Sequence, residues 1–141
     1  PGRFHGDFHF ENILWSSTDK RFIFLDWRQD FGGSLIVGDI YYDFAKLLHG
    51  LIMNHKIVAE SLYTINWSNG KIDYDFHRKQ ILVDCEQYFG NWLLMNGFDK
   101  KKVWMLTALI YLNISALHHY PYSLLLFALG KSMLKLEMEK K

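Results

Sequence analysis

The 141-residue sequence predicts one α+β domain, mostly helical, with two small antiparallel hairpins and a helical bundle. Three observations lead there. Proline occurs only as Pro1 and Pro121, so nothing between them interrupts long helices. Two runs rich in β-branched and aromatic residues are each split by a turn signal. Apolar residues then recur at helical spacing through most of the second half. Half of the residues are apolar and 17% are aromatic, enough for a bulky core in one domain of this size.

The first strand-like pair is Asn12–Ser17 and Arg21–Asp26, with Thr18-Asp19-Lys20 as its turn. Three glycines make Asp30–Gly38 a loop. Asp39 is placed to cap a helix that starts at Ile40 and buries Tyr42, Phe44, Leu47, Leu48, Leu51 and Ile52. The second hairpin is Tyr63–Trp67 and Lys71–Phe76, turned by Ser68-Asn69-Gly70 because Asn-Gly tolerates the positive φ values required. A helix over His77–Met95 would face the core with Ile81, Leu82, Cys85, Phe89, Trp92 and Leu93. Gly97 closes it, and Asp99 caps the next helix, Lys100–Leu117. His118 and His119 read as a helix end before Pro121. The last helix begins near Tyr122 and runs into a charged, fraying tail, Lys135–Lys141. Trp92, Trp104, Tyr111 and Phe127 are expected in the core.

Charge and cysteine usage exclude several functions. A net charge of +1 gives no basic stripe for a phosphate backbone, so no nucleic-acid partner is expected. The Lys100-Lys101-Lys102 run reads as a solvated helix start. The most apolar stretch, Val103–Gly130, is broken by Asn113, His118, His119 and Pro121, so no membrane span is expected. One cysteine, Cys85, permits no internal disulfide and fits a reducing, cytoplasmic setting.

Chemistry concentrates in His5-Gly6-Asp7-Phe8-His9-Phe10-Glu11-Asn12. His-x-Asp followed five residues later by Asn is the spacing of a kinase catalytic loop. A carboxylate such as Asp7 can orient an acceptor hydroxyl and take its proton late. Magnesium prefers hard oxygen ligands, which Asn and Asp supply. A turn centred on Asp19 would set Asn12 opposite Asp26, with Cα atoms about 4.5–5.5 Å apart, so two oxygen ligands converge at the hairpin mouth. By the same geometry Asp30-Phe31-Gly32, although it spells a kinase metal motif, lies beyond the mouth on a glycine-rich loop. Asp39 reads as a helix cap, Glu11 as solvated, and His9 as loop support with a possible substrate contact.

Three ordered blocks carry a resemblance: His5-Gly6-Asp7-Phe8-His9 with Asn12, then Phe24-Leu25-Asp26-Trp27, then Gly38-Asp39-Ile40-Tyr41-Tyr42-Asp43-Phe44-Ala45-Lys46. Together they resemble the aminoglycoside phosphotransferase and choline kinase superfamily over about Phe4–Gly50. The resemblance implies the C-terminal lobe of a protein-kinase-like fold and an ATP- and Mg²⁺-dependent kinase acting on a small-molecule hydroxyl. The acceptor would be an amino alcohol such as choline, a sugar or an aminoglycoside. It implies Asp7 as catalytic base, His5 as its buttress in the catalytic loop, Asn12 and Asp26 as ligands of the metal and nucleotide phosphates, and Asp43 as a buried brace.

Departures from the pattern carry their own expectations. Gly6 replaces the arginine of protein kinases, and no Ala-Pro-Glu triplet follows Asp26, both of which favour a small acceptor. Arg28 stands where such proteins often carry an acid, and it could meet a phosphate or an anionic substrate. The chain opens on Pro1-Gly2-Arg3, and neither a glycine-rich phosphate loop nor a strand lysine precedes the motif. It therefore reads as a fragment, inactive alone, that needs an N-terminal nucleotide-binding lobe in cis or in trans and exposes an apolar face where that lobe docks. Two other classes are a non-catalytic, pseudokinase-like binding module and a metal-dependent hydrolase. The hydrolase would use His5, Asp7 and His9 on one face of a strand.

Overall fold

A computed structural model describes residues 2–30, 32–34 and 37–140. Phe31 of Asp30-Phe31-Gly32, Leu35 and Ile36 of the glycine-rich loop, and the terminal Pro1 and Lys141 lie outside the described residues. The architecture is α+β and mostly helical, with two separate two-stranded antiparallel hairpins.

The first hairpin joins β1 (Ile13–Ser16) to β2 (Arg21–Phe24) and follows a single 3-10 turn at Phe10–Asn12. Its register runs from Ile13 opposite Phe24 to Ser16 opposite Arg21. The turn therefore holds Ser17 to Lys20, one residue more than expected. Two hydrogen bonds close it. The Asp19 N–H donates to Ser16 Oγ at 3.1 Å, and that hydroxyl donates to Asp19 Oδ2 at 3.0 Å. Lys20 adopts φ 52° to complete the reversal. The extra residue shifts every pairing by one and corrects the expected juxtaposition at the mouth. Asn12 lies across from Leu25, whose N–H donates to the Asn12 carbonyl at 2.8 Å, and Asp26 is one residue further on.

The second hairpin matches its sequence signal closely. β3 (Tyr63–Ser68) pairs with β4 (Lys71–Phe76), and Asn69 and Gly70 take φ 50° and 73° in a two-residue turn. Between the hairpins lie α1 (Ile40–Ile52) and a short helix, α2 (His55–Ala59), which periodicity did not reveal. Asp39 caps α1 by accepting from the Tyr41 N–H, and Asn54 caps α2 by accepting from the Ile57 N–H. The remaining helices are α3 (Gln80–Met95), α4 (Lys100–Ser115) and α5 (Tyr122–Glu139). α5 continues to Glu139, Glu137 is buried and paired with Lys140, and Lys101 Nζ donates to the Lys140 carbonyl.

Leu48 and Leu51 of α1, Leu93 of α3, Val103 and Tyr111 of α4, and Leu125, Leu126 and Leu129 of α5 form the core. α4 and α5 cross closely at Gly130, where a Cβ would come within 2.8 Å of the Ala108 carbonyl. The face assigned to α3 needs correction. Ile81 and Cys85 are exposed, Trp92 is a third exposed, and Phe89, Gly90 and Leu93 make the buried stripe. Phe127 is likewise exposed, whereas Tyr111 is fully buried. Among the described residues no helix is long and apolar enough to cross a membrane.

α4 meets α1 at two points that step one turn along both helices, although the Thr107 hydroxyl is also 2.9 Å from the Val103 carbonyl of its own helix. The Thr107 hydroxyl lies 3.2 Å from the Ala45 carbonyl, and the Tyr111 hydroxyl donates to the His49 carbonyl at 2.8 Å. Burial holds the Tyr111 phenol well above its usual range, so it stays a donor. The opposite edge of α1 is thereby set against the loop that carries Asp7.

Candidate functional site

The His5–Asp7 segment is coil, and its shape is imposed by what it touches. Asp43, on the first turn of α1, is buried and receives the His5 N–H on Oδ2 at 2.6 Å and the Gly6 N–H on Oδ1 at 2.8 Å. Two adjacent backbone donors on one carboxylate fix the loop's course, since buried N–H groups are costly to leave unpaired. Gly6 sits at φ 83°, and a Cβ there would lie 2.6 Å from Arg28 Cβ and Cγ. Glycine stands in this position for both reasons. The Arg28 N–H donates to the His5 carbonyl at 2.9 Å, so the chain leaving the hairpin runs beneath the loop.

That return path starts at Asp26, whose φ of 53° turns the backbone back on itself; Asp is one of the few side chains that adopt this region readily. Trp27 then lies on the His5 ring with centroids 4.8 Å apart, and Phe8 packs on the same ring at 5.6 Å. His5 is buried, and its Nδ1 faces the Asp7 N–H at 3.3 Å. His5 thus buttresses the loop from inside an aromatic cluster. The strand expected to bring His5, Asp7 and His9 onto one face is absent, which removes the geometric basis of the hydrolase reading. No group of three His, Cys, Asp or Glu side chains converges as metal ligands among the described residues.

Asp7 is buried and holds three basic groups around its carboxylate. Lys46 Nζ lies 2.7 Å from Oδ1, Arg28 donates to Oδ2 at 2.8 Å, and His9 Nε2 is 3.7 Å from Oδ2. Burial pushes the Asp7 pKa up, but the Lys46 hydrogen bond and charge, with His9 and Arg28, outweigh it and hold the carboxyl below its usual value. Lys46 was quoted within a motif block and given no role. Its signal was the i, i+3 spacing from Asp43, which puts both on one edge of α1. Arg28, read from sequence as a contact for phosphate or anionic substrate, has its guanidinium on Asp7.

Asn12 Nδ2 donates to the Asp7 carbonyl at 3.0 Å and lies 3.2 Å from His9 Nε2. The contact with the Asp7 carbonyl fixes the amide orientation. Both contacts use Nδ2, which leaves the Asn12 Oδ1 uncommitted among the described residues. Asp26 is exposed one residue past the Asn12–Leu25 pairing, with no ion pair or hydrogen bond among the described residues. A carbonyl oxygen and a carboxylate at the same hairpin mouth are a donor set that fits magnesium, which takes few protein oxygens and keeps the rest of its shell for water and phosphate. Asp39 lies apart from this group. It joins the starts of α1 and α4, with Oδ2 3.1 Å from Lys102. Burial raises its pKa, but the Tyr41 N–H and Lys102 lower it further. Asp30 is exposed and accepts from the Gly33 N–H at 3.4 Å.

A cleft of about 680 Å³ opens at His9 and Lys46, two of the groups in contact with Asp7. His9, Lys46, Ile114, His118 and Tyr122 are among its lining residues. His49, one turn after Lys46, also lines it, and neither of its ring nitrogens has a partner among the described residues. His49 was not singled out from the sequence, where it reads as a polar residue on the amphipathic α1.

Residues 1–78, more than half of the chain, match the family described as the phosphotransferase enzyme family (APH). Comparison with curated proteins and with solved structures returns no match.

Proposed function

Because the chain belongs to the phosphotransferase enzyme family, we propose that it is the catalytic and acceptor-binding lobe, a single domain of protein-kinase-like fold, of a small-molecule kinase. It would transfer a phosphoryl group from ATP to an acceptor hydroxyl. The observation that carries this reading is Asp7. It is buried in a braced loop, kept ionised by Lys46, and in contact with His9 and Lys46, two residues that line a cleft large enough for a small molecule.

Asp7 would orient the acceptor hydroxyl by accepting its hydrogen bond. A carboxylate held below its usual pKa is a weak base toward a free alcohol, so the proton would move late, as the oxygen gains its bond to phosphorus. Asp43 would keep the loop in register through the His5 and Gly6 amides, and His5 would buttress it from the aromatic cluster. Asn12 and Asp26 would hold Mg²⁺, which when bound offsets the charge of the transferring phosphoryl group. Arg28 either positions Asp7 or moves from it to a phosphate oxygen. A nucleotide-binding lobe, in cis or in trans, would dock on the β1–β2 hairpin, where Leu14, Trp15 and Phe22 are about half exposed.

ATP-dependent phosphorylation of a panel of amino alcohols, sugars and aminoglycosides by the full-length protein tests the reading. Mg²⁺-dependent ADP formation with an acceptor supports it. Nucleotide binding with no turnover on any acceptor would favour a pseudokinase-like binding module instead.

A further inference from the structure

We propose that Arg28 is a latch on Asp7. It is a positioning residue that leaves the carboxylate for a phosphate group at the hairpin mouth, and so makes acceptor binding depend on bound nucleotide. The proposal rests on the phosphotransferase reading for the words acceptor and nucleotide; the contact that closes the latch is an observation.

Charge comes first. Two permanent cations share one carboxylate. Lys46 Nζ lies 2.7 Å from Oδ1, and Arg28 Nη2 donates to Oδ2 at 2.8 Å. Lys46 alone balances Asp7, which makes the second cation surplus. His9 Nε2 stands 3.7 Å from the same Oδ2, and the Asp7 side chain is only 10% exposed. Little of the carboxylate is left for an acceptor hydroxyl, so one cation has to give way.

Arg28 is the one that can. Its side chain is 56% exposed, against 17% for Lys46. Water screens the more exposed pair and lowers the cost of separating it. The bond to Asp7 is made through Nη2, whereas a phosphate group can engage both arms of the guanidinium fork and carries more charge. The stem does not have to move. The Arg28 N–H donates to the His5 carbonyl at 2.9 Å, and Cβ and Cγ fill the space over Gly6, 2.6 Å from where a Cβ would stand. Glycine at position 6 is what admits this stem. It serves as a fixed pivot, and the bonds beyond Cγ carry the head. Arg28 also lies two residues after Asp26, the exposed carboxylate assigned above to the metal, so its head is within the neighbourhood of the phosphates. Once turned to a phosphate, the guanidinium leaves Oδ2 to the acceptor, and Lys46 stays on Oδ1.

The test uses the full-length protein and reads the latch without turnover. Aspartate is labelled with carbon-13 at the side-chain carboxyl, and the Asp7 NMR signal is assigned by its loss in Asp7→Asn. Mg²⁺ with AMP-PNP, and separately Mg²⁺ with inorganic tripolyphosphate, should shift that signal in the wild type. Arg28→Met and Arg28→Gln keep a stem on Gly6 and remove the charge. In both, the Asp7 signal should already be displaced and should respond little to either probe. A second measurement follows binding of whichever acceptor supports ADP formation. Mg²⁺ with AMP-PNP should tighten it about tenfold in the wild type and less than about twofold in Arg28→Met. An Asp7 signal that neither probe moves, or that moves equally without Arg28, would overturn the proposal and leave Arg28 a fixed brace. Equal tightening of acceptor binding in both proteins would overturn it as well. An Arg28-dependent shift without ADP formation on any acceptor supports the latch and contradicts the phosphotransferase reading. ADP formation with an unmoved Asp7 signal does the reverse.

Discussion

The ammonium of Lys46 lies 2.7 Å from Asp7 Oδ1, and it comes from helix α1 one turn after Asp43, the residue that holds the amides of the Asp7 loop. One helix edge therefore fixes both the backbone of the loop and the charge state of its carboxylate. Because the Tyr111 hydroxyl of α4 pins that helix through the His49 carbonyl, the placement of Asp7 is transmitted from the core rather than set locally.

Replacing Lys46 with Met removes the largest influence that favours ionised Asp7, while burial remains. The Asp7 pKa should rise, and the acid limb of the kcat/KM profile should move to higher pH with it. Turnover at neutral pH should fall about 100-fold, the scale of a misplaced or wrongly protonated general base. Steady-state kinetics across pH would check both parts. An unmoved acid limb would place the effective carboxylate elsewhere.

Asp43→Asn keeps the shape of the brace and removes its charge. One of the two donors would then face an NH₂ group. A loss of about 2–3 kcal/mol in urea unfolding is expected, from the weakened charge-assisted bonds and one stranded N–H. Hydrogen exchange at the His5 and Gly6 amides should accelerate in the same variant.

Gly6→Ala should be poorly tolerated for two separable reasons. The residue sits at φ 83°, and the new methyl would meet Arg28 Cβ at 2.6 Å. We expect a loss of about 2 kcal/mol or more. Arg28→Ala should not rescue it, because the Cβ that clashes is still present. Melting curves of the single and double variants would show this.

The His5–Asn12 loop was legible because its residues are local in sequence, and their spacing survives any folding of the remainder. The hairpin after it was legible as a hairpin, but its register was not. Thr18-Asp19-Lys20 fits a three-residue turn, and Ser17 joins it only because Ser16 and Asp19 bond across the loop. That one residue moved Asp26 out of direct opposition to Asn12. Lys46 and His49 were hidden for another reason. On an amphipathic helix a polar residue beside the apolar stripe reads as solvated, and only the docking of the loop shows that this edge is covered. The α3 face differs from the expectation because α3 packs on α1 and touches α4, which leaves Ile81 and Cys85 exposed among the described residues.

Acid should destabilise the protein through His49. The folded chain keeps this ring neutral down to about pH 4, whereas the unfolded chain takes up the proton near 6.5. Between those values the unfolded state binds more protons, so stability falls as pH drops from 6.5 toward 4, by up to about 3 kcal/mol. Asp7 adds its own loss only lower, because its pKa is shifted below 3.8. Denaturant midpoints measured across this range should flatten in His49→Phe. An unchanged slope would mean that other groups carry the acid sensitivity.

The central claim is that Asp7 performs the chemistry from a loop that the rest of the fold holds still. The most direct measurement is ATP-dependent phosphorylation of the best acceptor by the full-length protein, wild type against Asp7→Asn, with the melting temperature of each. Turnover should fall by about 1,000-fold or more while the variant remains folded and still binds acceptor. An Asp7→Asn protein that keeps its activity within a few-fold would contradict the account.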